Sequence, residues 1–188
     1  MATMSVDLTT ELSALLVRAH HRAAVSNPNL SSTALIQAAQ AGQPFTQCVQ
    51  AAIATLGELH GPVVQARALI YKSTDWREFG KGGMFWNRRC PGWGHGLYRD
   101  QVDPAFHAVA AFIGDHYPEH HERLEAVTGA LESALGRKLY PNAAAFTAVV
   151  AEILSVPRGT EVALFLQGRL AAWSDLWAAA HREGVWRA

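Results

Sequence analysis

An excess of charge of either sign is missing from this sequence. Sixteen basic residues balance sixteen acidic ones over 188 positions, for a formal net charge of +0. Nucleic-acid binders draw affinity from neutralising phosphates and carry a surplus of lysine and arginine, so no nucleic acid is expected as a partner. Long apolar runs are missing too. Although 49% of residues are hydrophobic, no stretch approaches the roughly 18 apolar residues of a membrane span, and no membrane association is expected. Cysteine is scarce. Cys48 and Cys90 make no disulfide framework. The start, Met1 to Asp7, lacks the basic and apolar segments of a secretory leader. The expected setting is reducing and cytoplasmic.

Strand-like alternation is nearly absent, and most segments repeat at helical spacing. The class expected is all-α. Leu12, Leu15, Leu16, Ala19 and Ala23 form one stripe of a first helix, from about Thr10 to Val25. Ser31 or Ser32 can cap a second helix, and Pro44 opens a third. A short helix follows from Val63 to Tyr71. Asp103-Pro104 starts another, Pro118 to Gly136 frames the next, Asn142 caps one, and Thr160 caps a long last helix ending at Gly184. Between these lies one long irregular stretch, 73–103. Its glycines, with Trp76, Phe79, Phe85, Trp86 and Trp93, give it apolar surface to bury.

Two histidines sit in glycine-framed turns: His60 in His60-Gly61-Pro62, and His95 in Pro91-Gly92-Trp93-Gly94-His95-Gly96-Leu97-Tyr98. Glycine lets backbone approach a ligand, and imidazole can donate to a carbonyl oxygen that gains charge during reaction. Taken alone, such a histidine more often satisfies a buried carbonyl at a helix end.

The segment Pro91 to Tyr98 resembles the Pro-Gly-Phe-Gly-His-x-x-Tyr pattern of the citrate synthase family, with Trp93 at the aromatic position. The likeness runs in order along the chain. It takes in Pro44-Phe45, Leu56-Gly57-Glu58-Leu59-His60-Gly61, Asp103-Pro104 and Leu139-Tyr140-Pro141-Asn142. It ends in Leu164-Phe165-Leu166-Gln167-Gly168-Arg169 with Trp173. The resemblance implies a helical fold in which a small domain, here 63–148, closes over coenzyme A and a keto acid. Helices of a larger domain, here 1–62 and 149–188, would complete it, and a homodimer is implied. His60 matches the histidine that polarises the carbonyl of an acyl-CoA, and His95 the one that polarises the acceptor ketone. Pro91, Gly92, Trp93 and Gly94 would face coenzyme A, and Arg169 would bind a carboxylate of the keto acid. No metal is implied.

The sequence also departs from the family's pattern. Ala144 stands where the family has its general base, an aspartate, and a positioned base is worth about 10²–10⁴ in rate. Ala105 stands where an arginine would clamp a substrate carboxylate. His20 and His21 lie several positions before the slot of a further substrate histidine, which Val25 comes nearest. Much of the large domain has no counterpart. Ordinary citrate synthesis is therefore not expected. The resemblance leaves a divergent acyltransferase or citryl-CoA lyase-like enzyme, in which Arg99 could replace the lost guanidinium. It also leaves a catalytically inactive coenzyme A binder, and a dimeric regulatory or structural homologue.

Other groupings carry less. His116 and His120 have helical metal spacing, but Pro118 interrupts them and zinc needs more ligands. Cys90 could be a nucleophile only with an activating partner. Arg88 and Arg89 could reach the phosphates of coenzyme A or lie in solvent. Trp173, Trp177 and Trp186 read as core or dimer packing.

Overall fold

The structure is a computed structural model that describes residues 7–26, 29–57, 60–72, 76 and 90–185. Every regular element among them is helical. They are α1 (Leu8–Ser26), α2 (Leu30–Gln40), α3 (Phe45–Ile53), α4 (Val63–Tyr71), a 3-10 turn (Pro104–Phe106), α5 (His107–His116), α6 (Pro118–Leu135), α7 (Ala143–Ile153) and α8 (Val162–Val185). The class is all-α, as the periodicity predicts.

Local chemistry explains most boundaries. Pro118 occupies the first turn of α6, and Gly136 closes it in the left-handed region at φ 64°, its N–H bonded to Glu132 O. Asn142 caps α7 by accepting from Ala144 N at 2.9 Å. Asp103 caps the 3-10 turn through Ala105 N at 2.9 Å, and that turn leads into α5. Two caps differ from expectation. Asn29, not Ser31 or Ser32, caps α2, because its extended backbone lets its side chain reach Ser32 N. Thr160 spends its hydroxyl on Pro157 O at 2.7 Å, and α8 begins after it, at Val162.

Two apolar clusters hold the helices. The larger joins Leu12, Leu16, Phe106, Ile113, Val127, Leu131, Phe146 and Phe165. The smaller joins Leu35, Ala39, Cys48, Ala52, Trp173 and Ala180. Fully burying one such large side chain contributes roughly 1.5–3 kcal/mol. Helix α8 serves both clusters, lying against α1 and α2. The α1 crossing requires glycine: a Cβ on Gly168 would run into His20 Cβ. Phe165 belongs to the first cluster and Trp173 to the second. Arg169, one helical turn from each on the same face, therefore sits at the seam between them.

Candidate functional site

The seam gathers charge and imidazole. Arg169 is buried, with 5% of its surface exposed, and its guanidinium carbon lies 5.0 Å from the centroid of the Phe165 ring. Its Nε and Nη1 have no hydrogen-bond partner among the described residues. Burial lowers the Arg169 pKa to about 10, opposed by the Asp103 carboxylate. Asp103 is itself 5% exposed. The Arg169 charge acts on three imidazoles, those of His20, His60 and His95. Burial is the main force holding each of these imidazoles below the ordinary histidine pKa, and Arg169 adds to it; Asp103 partly offsets the shift at His95. All three are thus biased toward the neutral form, in which one ring nitrogen carries a proton and the other a lone pair.

Hydrogen bonds decide which nitrogen is which. His95 Nδ1 lies 3.1 Å from Leu97 N and 3.2 Å from Tyr98 N. Backbone amides only donate, so Nδ1 is the acceptor and neutral His95 carries its proton on Nε2. His60 Nε2 lies 3.0 Å from Ser31 Oγ, whose hydroxyl donates to Asn29 Oδ1 at 2.7 Å. His20 Nε2 lies 2.8 Å from Thr147 Oγ1, whose hydroxyl donates to Ala143 O at 2.6 Å. With its one proton spent, each hydroxyl can only accept from its histidine. His60 and His20 are therefore protonated on Nε2 when neutral.

The loop carrying His95 is stitched to the segment before α7. Gly94 N donates to Tyr140 O at 2.9 Å, and Asn142 N to Gly92 O at 2.8 Å. Asn142 Nδ2 donates to Gly94 O at 2.8 Å, and Trp93 pairs with Pro141 in an isolated bridge. Gly92 sits at φ +89°, where a Cβ would lie 3.0 Å from Ala66 Cβ and 3.1 Å from Ala145 Cβ. Only glycine fits such a position without strain. Trp93 is buried at 4% exposure, and its indole N–H donates to Thr128 Oγ1 at 2.9 Å. Its ring anchors the loop from behind, and the partly buried Pro91 and Gly94 lie beside it.

The other residues singled out from sequence fall as follows. Ala144 is buried at 2% exposure, on the first turn of α7. Ala105 is partly buried against the larger cluster. Arg99 is exposed, and no hydrogen bond or ion pair among the described residues ties it to the seam. Arg88 and Arg89, with Phe79, Phe85, Trp86 and Trp186, lie outside the described residues. Burial raises the Cys90 thiol, which disfavours the thiolate a nucleophile needs. Tyr71 shares a hydrogen bond of 2.7 Å with His120 Nδ1. Among the described residues, no three His, Cys, Asp or Glu side chains are placed to hold a metal ion. No described helix is long and apolar enough to cross a membrane. A cleft of about 400 Å³ between α5 and α6 is lined by Ile113, Leu124, Thr128, Tyr140 and others, and holds none of the seam residues.

Sequence reasoning passed over two members of the seam. His20 follows Leu16 at the i+4 position of the buried stripe, a signal for burial that was open to reading. Asp103 reads from sequence as a helix cap and as part of a family-like Asp-Pro pair, and its interaction with Arg169 is a product of tertiary folding.

Comparison with known proteins places the chain in a family. The pattern of the citrate synthase C-terminal domain matches residues 14–187. The chain belongs to the citrate synthase family. It is 26% identical over 174 residues to the citrate synthase of Corynebacterium glutamicum, an alignment covering 85% of this chain and 39% of that protein. It thus spans well under half of that relative's length. Among solved structures, the citryl-CoA lyase of Hydrogenobacter thermophilus superposes with a TM-score of 0.73 at 18% identity, over 95% of this chain and 72% of that one. The citrate synthase of Thermotoga maritima superposes with a TM-score of 0.69 at 22% identity, over 95% of this chain and 50% of that one. At these identities the superpositions speak for the fold, which both share with this member of the family.

Proposed function

We propose that this citrate synthase-family protein makes or breaks a carbon–carbon bond beside the thioester carbonyl of an acyl-CoA, as an acyltransferase or a citryl-CoA lyase-like enzyme. The observation that carries the reading is the seam: one buried guanidinium with unpaired donors, whose charge acts on three imidazoles biased toward the neutral form. Such preplaced groups act most strongly in a dry site. Arg169 binds a carboxylate of the keto acid or hydroxy acid. His95 presents Nε2–H to the acceptor oxygen, and His60 stands at the acyl-CoA half. Pro91, Gly92, Trp93 and Gly94 form the loop along coenzyme A, with Trp93 as its buried anchor. Arg99 is the only other guanidinium proposed for substrate. The functional unit is a cytoplasmic homodimer that divides into a small domain, 63–148, and flanking large-domain helices. With alanine at 105 and 144, the substrate pair differs from that of citrate synthesis.

A second reading rests on those same alanines: the protein retains coenzyme A binding and has lost turnover. Thermal melting with coenzyme A, acetyl-CoA and keto acids tests both. A ligand that binds the native state at 100 times its Kd stabilises it by about 2.7 kcal/mol, so acyl-CoA is expected to raise the Tm. No shift with any coenzyme A species at saturation overturns both readings. Turnover that depends on His95 separates the first from the second. Sedimentation tests the dimer, and a stable monomer removes it.

A further inference from the structure

We propose that His60 Nδ1 is the proton acceptor of this site, the role that a carboxylate at position 144 would otherwise fill. The proposal rests on the acyl-CoA reading above.

The argument follows the direction of one hydrogen-bond chain. Ser32 N and Ser31 Oγ both point at Asn29 Oδ1, at 3.1 and 2.7 Å. A carbonyl oxygen only accepts, so the Ser31 hydroxyl proton is committed to it. His60 Nε2, 3.0 Å from Ser31 Oγ, must then be the donor. A neutral imidazole has one N–H, which leaves a lone pair on Nδ1. That nitrogen has no hydrogen-bond partner among the described residues, and the ring is partly buried. Polarising a thioester carbonyl, the role that resemblance implies, would require N–H at this open position. It would then require Ser31 to abandon Asn29 Oδ1 and donate to the ring.

His95 has the opposite polarity. Two backbone amides occupy its Nδ1, so its other nitrogen carries the proton. The charge of a single guanidinium acts on both rings, one left with a lone pair and the other with an N–H, a division of labour suited to moving one proton and stabilising one oxyanion. Burial and the Arg169 charge both disfavour the His60 imidazolium, so the acceptor form prevails at neutral pH. Asn29 and Ser31, at the start of α2, and Arg169, from α8, are the groups that set its state.

In the condensing direction the Cα–H bond of the acyl-CoA breaks. Its proton goes to His60 Nδ1, and its electron pair enters the enolate. That pair then forms the bond to the acceptor's carbonyl carbon, while the carbonyl π pair moves onto oxygen; the alkoxide, hydrogen-bonded by His95 Nε2–H, becomes the product hydroxyl by taking one proton from solvent as the His60 imidazolium releases one. In cleavage one proton is taken up from solvent by His60 as the hydroxyl loses one to solvent, the C–C bond breaks to give the carbonyl and the enolate, and the His60 imidazolium protonates the enolate carbon.

The test is exchange of the methyl protons of acetyl-CoA in D₂O, read by mass spectrometry, which needs no acceptor. The wild type is expected to exchange, with a rate that falls below pH 6.5 as the imidazolium forms. His60→Gln keeps an N–H donor but has no base, and should lose about 10²-fold or more. Adding Ala144→Asp to that variant should restore part of the rate and move the acid limb into the carboxylate range. The ¹⁵N spectrum of the imidazole, independent of turnover, should show the proton on Nε2 of His60. A proton on Nδ1, or exchange in His60→Gln within about threefold of wild type, overturns the proposal. Wild type that binds acetyl-CoA without exchange overturns it and leaves the coenzyme A reading standing. Failure to bind acetyl-CoA at all overturns both.

Discussion

Two buried arginines in this molecule have the same chemistry and nearly the same burial, yet opposite fates. Arg67, on α4, is 4% exposed, and Arg169, on α8, is 5% exposed. Arg67 donates from Nε to Glu152 at 2.7 Å, and from Nη1 to Glu161 at 2.9 Å and to Val156 O at 2.8 Å. Its partner Glu161 also accepts from Gly159 N at 2.7 Å. This network ties the turn between α7 and α8 to α4. Arg169 has aromatic surface beneath it, imidazoles biased toward the neutral form within reach of its charge, and two nitrogens, Nε and Nη1, whose protons nothing in the described chain accepts. Folding costs several kcal/mol for each desolvated ion. Arg67 offsets that cost internally. Arg169 does not, and a buried donor without an acceptor is an expense that a ligand can remove.

The sharpest way to break this comparison is Arg67→Met. It leaves Glu161, 1% exposed, as an uncompensated buried charge, and should cost about 3–5 kcal/mol in urea unfolding. A loss under about 1 kcal/mol would show that Arg67 is no more structural than Arg169. The next effect in size concerns the wall of the seam. Thr147→Val removes the acceptor of His20 Nε2–H, bonded at 2.8 Å in a fully buried position. An unsatisfied buried donor costs about 1–3 kcal/mol. An unchanged unfolding midpoint would mean that His20 finds another partner and that its tautomer is not fixed by Thr147.

How much of this was legible beforehand follows the range of each interaction. The caps at Asp103 and Asn142, the proline that opens α6 and the glycine that ends it are local, and the sequence displays them. The cap of α2 falls on Asn29 rather than on Ser31 or Ser32, because both serines are good cap residues and the sequence does not show where the helical backbone begins. Both serines lie within the helix, and Ser31 serves as the link between Asn29 and His60. The two glycine-framed histidines were visible as motifs. The polarity of their rings was not, because it depends on hydroxyl and amide partners supplied by folding. Of the seam, the resemblance names His60, His95 and Arg169, but not Asp103 or His20 beside them. Arg169 meets Asp103 and His20 across long stretches of chain, and no periodicity encodes that meeting. His20 was the near miss: its place on the apolar stripe announced burial, but a buried helical histidine reads as core until an arginine is found beside it.

Acid should erode the seam more gradually than either substitution. The folded pKa of His20 lies well below the unfolded value of 6.5, and those of His60 and His95 are lowered too. As pH falls, the unfolded chain therefore takes up protons first. The stability that these neutral rings contribute is complete above pH 6.5 and is lost as pH drops below it toward their folded pKa values. Urea midpoints measured from pH 7.5 downward should decline, and His20→Gln should flatten the decline. A stability that rises on acidification below pH 6.5 would contradict the sign of all three shifts.

The smallest expected change is also the most telling one. Arg169→Leu removes a desolvated charge that has no hydrogen-bonded partner and replaces it with a side chain suited to the Phe165 ring beneath. Replacing a buried ion with an apolar residue of similar volume is often neutral or stabilising, so the unfolding free energy should stay within about 1 kcal/mol of wild type. Asp103 keeps its bond to Ala105 N at 2.9 Å and is not stranded by the change. Binding of a keto acid should nevertheless weaken by at least about tenfold, the loss of one charge-assisted contact. A fold that tolerates the loss while the ligand does not would place Arg169 outside the structural account of the core. If Arg169→Leu instead unfolds the protein as Arg67→Met does, the two arginines are alike, the unpaired donors are incidental, and the seam is packing rather than a site.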